Sequence, residues 1–202
     1  MSSIKLKHSS GNSMSLAAPA TNPSGDLTLT LPVNIGADKK ILAVNGSGNL
    51  EFIYPPGYGY FQAYITGSNQ SISHHTQTTA AMNGQTFDSQ SWYNTSTYKY
   101  TPQVAGTYRI FTHLTYTGIG SHDYQGANYI YKNTSIISEA IYGVNQNAYG
   151  YQVITSETLV SLNGSSDYIL LKAYYYDSGS NGASLRAYED ESYMGGYLVE
   201  AD

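Results

Sequence analysis

Short alternating segments separated by turn-forming clusters run through most of this 202-residue chain. The clearest segment, residues 106–117, has an apolar face of Tyr108, Ile110, Leu114 and Tyr116 and an opposite face of Arg109, His113 and Thr115. A period of two is the spacing of a half-buried β-strand, and no helical period lies between the segments. The pattern predicts an all-β protein, built as an antiparallel sandwich or barrel.

Tyrosine supplies most of the aromatic content, with 22 tyrosines against four phenylalanines and one tryptophan. Apolar residues make up 41% of the chain, which argues against disorder for most of it. Ala, Glu, Lys and Leu at heptad spacing are scarce, which excludes a coiled coil. Because tyrosine buries a ring and keeps a hydroxyl for water or a partner, a surplus of it favours a subunit interface or a binding surface.

The charge balance excludes several partners. The formal net charge is −5 and no stretch concentrates Lys and Arg, so we expect no nucleic-acid binding. The chain has no cysteine, which excludes disulfides and thiolate metal sites. No segment reaches the roughly 18 apolar residues of a membrane span, so we expect no membrane insertion. Residues 1–15 lack the apolar stretch of a secretory signal, so we expect synthesis in a cytoplasm.

Three regions follow from the pattern. Residues 1–53 are interrupted by prolines and hold a few short apolar runs, among them the alternating Leu27, Leu29 and Leu31. These strands have too little apolar mass for a core, so they predict an extended β arm that packs on something else. Residues 54–60, with two prolines and two glycines, are typical of a linker. Residues 61–202 are expected to form a globular head.

The head resembles a known family. Tyr93 to Tyr108, including Tyr100 and Gly106, resembles the signature of the complement component 1q head, a member of the tumour-necrosis-factor-like jelly rolls. Ile110, Thr112 and Met82 depart from that signature, since they stand where it has aromatic residues. Later segments resemble the family's hairpins and closing strand in order: residues 131–135, 158–174 and 192–199. The resemblance implies a jelly-roll sandwich over residues 61–199.

The same resemblance implies a homotrimer, because three jelly rolls of that family pack around a threefold axis. We expect the following residues to serve core or trimer packing: Tyr93, Tyr100, Gly106, Tyr108, Ile110, Leu170, Tyr174 and Tyr197. Tyr108, Ile110, Leu170 and Tyr197 are the expected core positions among them. Residues 174–176 are three tyrosines in one strand, and neighbours in a strand point to opposite faces. At least one of them must therefore leave the core.

The arm has a resemblance of its own. Residues 4–13, continuing through 17–19 and 27–32, resemble the start of virion structural proteins of marine and cyanobacterial bacteriophages. In those proteins this segment precedes a variable C-terminal domain. The resemblance implies that the arm is a mounting segment that docks on other virion proteins of the capsid or tail, with Leu27, Leu29 and Leu31 as docking residues.

No pattern indicates catalysis, a cofactor or a metal. His74 and His75 are neighbours in the chain without a third ligand at a recognisable spacing, so we interpret them as loop histidines. Residues 189–191 are acidic and could hold calcium, but a solvated turn is the better interpretation. His113, His122 and Asp123 could join a serine in a triad, yet no Gly-x-Ser-x-Gly elbow presents a nucleophile.

These observations predict a bacteriophage virion structural protein located at the virion surface: a trimeric capsid decoration protein, head fibre or short tail spike for particle stabilisation or host attachment. The alternative is a carbohydrate-binding module that recognises a host surface polysaccharide, because tyrosine faces can stack on sugar rings. An enzyme is not expected, because the 14 acidic residues show no pair that could flank a glycosidic bond.

Overall fold

The computed structural model describes residues 3–7, 11, 13–17, 30, 32–33, 39–45, 47, 49–119, 123–144 and 150–202. All regular elements among these residues are β-strands, which confirms the all-β prediction. The chain divides into two compact units, Met1–Phe52 and Ile53–Asp202.

In the first unit, the residues that the structure describes form two two-stranded sheets. Strands β1 (Ser3–Lys7) and β2 (Ser13–Ala17) pair antiparallel, and β3 (Ile41–Val44) pairs with β4 (Leu50–Ile53). Between β3 and β4 the Asn45 side chain accepts hydrogen bonds from the N–H groups of Ser47 and Asn49, both at 3.0 Å. The predicted docking residues Leu27, Leu29 and Leu31 lie outside the described residues, so their role stays a prediction.

The described residues of the second unit form thirteen strands. Their bounds are β5 (Phe61–Tyr64), β6 (Gln70–Ile72), β7 (Thr78–Thr79), β8 (Gly84–Asp88), β9 (Tyr93–Asn94), β10 (Lys99–Tyr100), β11 (Ala105–Thr117), β12 (Tyr124–Lys132), β13 (Ser135–Val144), β14 (Gln152–Asn163), β15 (Ile169–Asp177), β16 (Ala183–Leu185) and β17 (Ser192–Ala201).

These strands form two antiparallel sheets. In the first sheet the order is β6-β16-β11-β17-β5-β8, and β14 pairs with β11 along nearly its whole length. In the second sheet the order is β13-β12-β15-β10-β9, and β7 also pairs with β15. The inward residues of both sheets form one core, as in a sandwich.

The largest side chains in the core are tyrosines. Strand β11 alternates as its sequence predicts, with Tyr108, Ile110, Leu114 and Tyr116 fully buried. Each buried ring needs a partner for its hydroxyl, because an unpaired buried hydroxyl costs about 1–3 kcal/mol. Backbone carbonyls provide these partners: Tyr108 donates to Val104 at 2.8 Å, and Tyr116 to Ala127 at 2.8 Å. Tyrosine therefore fills this core where phenylalanine would be usual.

Tyr100 lies at the centre of this packing. Its ring stacks on that of Phe61 at 4.0 Å between centroids, and its hydroxyl donates to the carbonyl of Gly59 at 2.6 Å. Burial raises the pKa of Tyr100 well above its usual value.

Residues 54–60, which we predicted to be a linker, contain no strand and contact the head. The N–H of Gly57 donates to the carbonyl of Leu198 at 2.7 Å, and the N–H of Leu198 donates to the carbonyl of Tyr58 at 2.9 Å. Gly59 has a φ of +66°, and a Cβ there would lie 2.3 Å from the ring of Trp92. Only glycine fits this position, so the segment has a defined place against the second unit.

Candidate subunit interface and ligand-binding face

The outward side of the first sheet carries aromatic and aliphatic side chains, and we call it the aromatic face. Its residues alternate with the buried ones along β5, β8, β11, β14 and β17. They are Tyr60, Tyr64, Phe87, Phe111, Val153, Leu159, Tyr193 and Tyr197.

Two glycines let rings lie across this face. A Cβ on Gly195 would come within 2.5 Å of the Phe111 ring, and a Cβ on Gly84 within 2.8 Å of the Tyr64 ring. The rings therefore occupy the space that a side chain would otherwise fill. A sheet surface covered in this way presents a broad area of ring carbon.

Much of the aromatic face is open to solvent. Leu159 is 64% exposed, Val153 48% and Tyr60 49%. Tyr60 packs edge-on against Phe87 with the ring centroids 5.4 Å apart. Exposed apolar side chains on β14, on β8 and immediately before β5 make this face a candidate interaction site.

The polar groups of the aromatic face are largely engaged with one another. The guanidinium of Arg109 lies 2.6 Å from the Glu157 carboxylate and donates to the Tyr197 hydroxyl at 3.2 Å. The hydrogen bond to Glu157 is the main reason that the pKa of Arg109 is raised. His113 stacks on Tyr193 with centroids 5.1 Å apart, and burial lowers its pKa.

The outward side of the second sheet has a different composition, and we call it the tyrosine–lysine face. Strands β12 and β15 run side by side here, with Tyr131 opposite Leu170 and Tyr129 opposite Lys172. The face comprises Lys99, Ala127, Tyr129, Tyr131, Tyr168, Leu170, Lys172, Tyr174 and Tyr176, and residues 75–77 lie at its border.

The tyrosines of this face make contacts within it. The Tyr131 hydroxyl donates to the side-chain carbonyl of Gln77 at 2.5 Å. Burial, together with a hydrogen bond to Glu139, raises the pKa of Tyr129 to about 12. The ammonium of Lys172 lies 4.5 Å from the centre of the Tyr131 ring.

His74 and His75 lie beside these tyrosines. The His75 ring centroid lies 5.9 Å from those of both Tyr174 and Tyr176, and His75 has a φ of 55°. His74 accepts a hydrogen bond from the N–H of Asp177 at 3.4 Å, so its Nδ1 is engaged in the fold. Among the described residues, no three His, Asp or Glu side chains form a cluster that could hold a metal ion.

The acidic residues 189–191 have polar partners. The carboxylate of Glu189 accepts from the Thr86 hydroxyl at 2.7 Å. The carboxylate of Glu191 lies 2.5 Å from the Arg186 guanidinium. The guanidinium in turn lies 4.3 Å from the centre of the Tyr151 ring. The triad hypothesis includes His122, which lies outside the described residues.

The eight predicted packing residues divide between the core and the two faces. Tyr93, Tyr100, Gly106, Tyr108 and Ile110 are buried. Leu170 and Tyr174 lie on the tyrosine–lysine face, and Tyr197 lies on the aromatic face. Our expectation that Leu170 and Tyr197 belong to the core is therefore wrong. Side chains alternate along each strand, so the buried neighbours Ile169 and Leu198 point inward while Leu170 and Tyr197 point outward.

Several residues of the two faces were missed by the sequence reasoning. Phe111 lies outside the segments that carry the family resemblance, and Leu159 and Lys172 lie within residues 158–174 but were not singled out there. The alternation of β11 could have identified Phe111, because it shares the parity of Arg109 and His113. The sequence does not indicate a role for Lys172, because its contact with the Tyr131 ring depends on the pairing of β15 with β12.

The fold of the second unit is similar to that of several solved structures. The globular domain of zebrafish complement 1qA matches with a TM-score of 0.52 and 13% identity over 71% of this chain and 98% of that one. The Eiger tumour necrosis factor of S. frugiperda matches with a TM-score of 0.50 and 10% identity over 71% of this chain and 93% of that one. Murine APRIL matches with a TM-score of 0.50 and 10% identity over 69% of this chain and 97% of that one.

These similarities confirm the predicted antiparallel jelly-roll fold. No family model matches the chain, and no curated protein matches it. The resemblance of residues 1–53 to bacteriophage proteins therefore stays a prediction. No helix in the described ranges is long and apolar enough to cross a membrane.

Proposed function

We propose that the chain is a trimeric structural protein of a bacteriophage virion, with the arm docked on the particle and the jelly-roll head facing outward. The observation that carries the trimer is the aromatic face. It exposes Leu159, Val153, Tyr60 and Phe87 on one side of one sheet. A closed ring of copies would cover this surface on every subunit, which is the usual way for a soluble chain to bury such a patch.

The geometry of the aromatic face supports self-association. Rings lie over Gly195 and Gly84, and Arg109 is already paired with Glu157. Burial of this face would therefore remove apolar area from water at about 25 cal/mol per Å² without leaving a cation unpaired.

The virion role is supported by the arm. Its β3–β4 hairpin leaves Ile41, Leu42 and Val44 exposed, and an isolated two-stranded hairpin is marginally stable in water. Such a segment gains stability when it packs on another surface. Other virion proteins of the capsid or tail would provide that surface, with localisation at the virion surface.

The virion role is tested with particles that lack the protein. The full chain and a chain of residues 54–202 are each added to such particles, and bound protein is measured after sedimentation. We expect the full chain to bind and the shortened chain to remain in solution as a trimer. Binding of both chains would contradict the docking role of the arm.

A second candidate function is recognition of a host surface polysaccharide. The tyrosine–lysine face favours it, because several tyrosines there stand beside lysine ammonium groups and polar side chains. Aromatic rings with a few placed polar groups are typical of small-ligand sites. The two functions are compatible, since a virion head can also contact the host. Neither function requires a catalytic group, and we propose that the chain is not an enzyme.

A further inference from the structure

The basic residues of the second unit differ in whether they have a carboxylate partner. Three of them form ion pairs: Arg109 with Glu157 at 2.6 Å, Lys132 with Asp167 at 2.9 Å, and Arg186 with Glu191 at 2.5 Å. Lys99 and Lys172 form no ion pair with any residue that the structure describes. Both of these lysines belong to the tyrosine–lysine face.

Each of these two lysines is held over a ring. The Lys99 ammonium lies 3.8 Å from the centre of the Tyr168 ring, and that of Lys172 lies 4.5 Å from the centre of the Tyr131 ring. A cation–π contact orients an ammonium but does not neutralise it. The N–H donors that point away from the ring can still bind an anion. Each ammonium is therefore oriented by a ring and has no ion-pair partner among the described residues, while the nearby carboxylate of Glu139 is hydrogen-bonded to Tyr129.

The two lysines lie on the same side of the second sheet, on the adjacent strands β10 and β15. Tyr100 pairs with Ile169 in the antiparallel register of β10 and β15. In this antiparallel register Lys99 lies across from Leu170. Lys172 lies two residues after Leu170, on the same side of β15.

Two tyrosines follow Lys172 on the same side of β15. Tyr174 and Tyr176 are the next outward residues of β15 after Lys172, and the exposed His75 ring borders both. Tyr176 is 38% exposed. The outward side of β15 therefore passes from Lys172, beside Lys99 of β10, to two tyrosine rings that the His75 ring contacts edge-on.

We propose that the tyrosine–lysine face binds an acidic polysaccharide, with sugar rings packed on Tyr174 and Tyr176 and successive carboxylate or sulfate groups held by Lys172 and Lys99. This inference rests on polysaccharide recognition as the second candidate function, and it names the ligand class and the residues. The face suits this ligand because rings can contact the apolar side of a sugar while the lysines and Gln77 contact its polar groups.

Other acidic polymers fit this face less well. A nucleic acid draws most of its affinity from many phosphate contacts, and two lysines provide few of them. An extended peptide commonly adds to a free strand edge. Strand β12 lies between β13 and β15, and β15 pairs with β12 on one side and with β7 and β10 on the other. The centre of the face therefore offers a peptide no backbone partners.

The test is calorimetric titration of the full chain with four polymers: polygalacturonate, dextran sulfate, neutral dextran and polyglutamate. We expect at least one of the two acidic polysaccharides to bind, and neutral dextran and polyglutamate to bind at least tenfold more weakly. The double variant Lys99→Gln/Lys172→Gln should weaken that binding about tenfold, because it removes both charge-assisted contacts. The control Lys39→Gln/Lys40→Gln removes the same charge from the first unit and should keep the affinity.

A second pair of variants tests the rings. Tyr174→Ala should weaken binding about threefold to tenfold through loss of stacking, whereas Tyr188→Ala, an exposed tyrosine outside this face, should not. Three outcomes would each overturn the proposal. Polyglutamate could bind as tightly as the acidic polysaccharides, both lysine double variants could lose the same affinity, or neither acidic polysaccharide could bind.

Failure of this proposal is distinguishable from failure of the proposed functions. The mass of each variant in solution reports the trimer independently of the ligand. A monomer that binds acidic polysaccharide through these lysines would overturn the trimer alone. Binding that survives Lys99→Gln/Lys172→Gln would retain carbohydrate recognition and overturn its assignment to this face.

Discussion

The outer faces of the two sheets differ in which of their interactions are already satisfied. On the aromatic face the guanidinium of Arg109 is bound by Glu157, and the unsatisfied part is apolar: Leu159 and Val153 stand in solvent. On the tyrosine–lysine face the Tyr131 hydroxyl is bound by Gln77, and the unsatisfied part is the positive charge of Lys172 and its neighbour Lys99. The same strand alternation places tyrosine on both faces, but the partner that each face needs is different.

This difference leads to separate expectations. An apolar surface gains most from a second apolar surface, which a copy of the same chain provides. Unpaired lysines gain most from an anion. The two faces can therefore be disabled one at a time, whereas the core beneath them serves both.

The largest effect should come from the shared core. Tyr100→Ala removes a fully buried ring stacked on Phe61 and leaves a cavity, so we expect a loss of about 3–5 kcal/mol in the free energy of unfolding. Urea denaturation followed by fluorescence measures it. Both association and ligand binding should fail together, and survival of either one at full strength would show that the faces do not depend on a common core.

The next largest effect should come from a substitution that disables the aromatic face alone. Leu159→Asp places a carboxylate on the aromatic face, where Arg109 is already engaged by Glu157, so a buried interface would hold an unpaired charge. We expect association to weaken at least tenfold, as measured by sedimentation against concentration.

The matched control for that variant is Ile141→Asp. Ile141 is 53% exposed and lies on β13 at the edge of the second sheet. The substitution introduces the same charge away from the aromatic face, so the mass in solution should not change. Equal dissociation of the two variants would contradict the assignment of the interface to the first sheet.

A smaller loss of unfolding free energy is expected when one hydroxyl group is removed from each face. Tyr131→Phe removes a nearly buried hydroxyl that donates to Gln77, so unfolding should cost about 1 kcal/mol less. Tyr197→Phe removes a hydroxyl that accepts from Arg109, which keeps its ion pair with Glu157, so the loss should stay below about 0.5 kcal/mol. Thermal unfolding of the two variants side by side checks this order, and the reverse order would contradict it.

The smallest effect is a dependence on pH. Burial beside Tyr193 lowers the pKa of His113, so the folded state binds a proton less readily than the unfolded state does. This group's contribution to stability is therefore complete above the unfolded pKa of about 6.5 and is lost as the pH falls below it. We expect a lower urea midpoint at pH 5 than at pH 7.5.

The variant His113→Phe is the control for that measurement, and it should show a smaller difference between the two pH values. Asp167 does not interfere in this range. Its hydrogen bond from Asn133 holds the pKa of the carboxyl below its usual 3.8, so its contribution is lost only in stronger acid. An unchanged pH dependence in His113→Phe would contradict the role of His113.

Much of the fold was predictable because its long strands alternate strongly. The inward positions of β11 follow from parity alone, and parity also requires that at least one of the three tyrosines 174–176 leaves the core; the structure shows that Tyr174 and Tyr176 do. The short strands β6, β7 and β8 were not predicted, because they are two to five residues long and mostly polar. Their pairing comes from tertiary contacts that propensity does not reveal.

The candidate sites were less predictable than the fold. Alternation along a strand tells which face a residue lies on but not which residues surround it. The contact of the Lys172 ammonium with the Tyr131 ring is set by the register of β12 and β15. The glycine that makes room for Phe111 lies on β17, far along the chain from β11. Such pairs of distant residues need the structure to bring them together.

The central claim is that copies of this chain cover the aromatic face. Sedimentation equilibrium of the purified full chain tests it most directly. The account predicts a single species with the mass of three 22.0 kDa chains that loses this mass in Leu159→Asp. A wild-type chain that sediments as a folded monomer at micromolar concentration would contradict it.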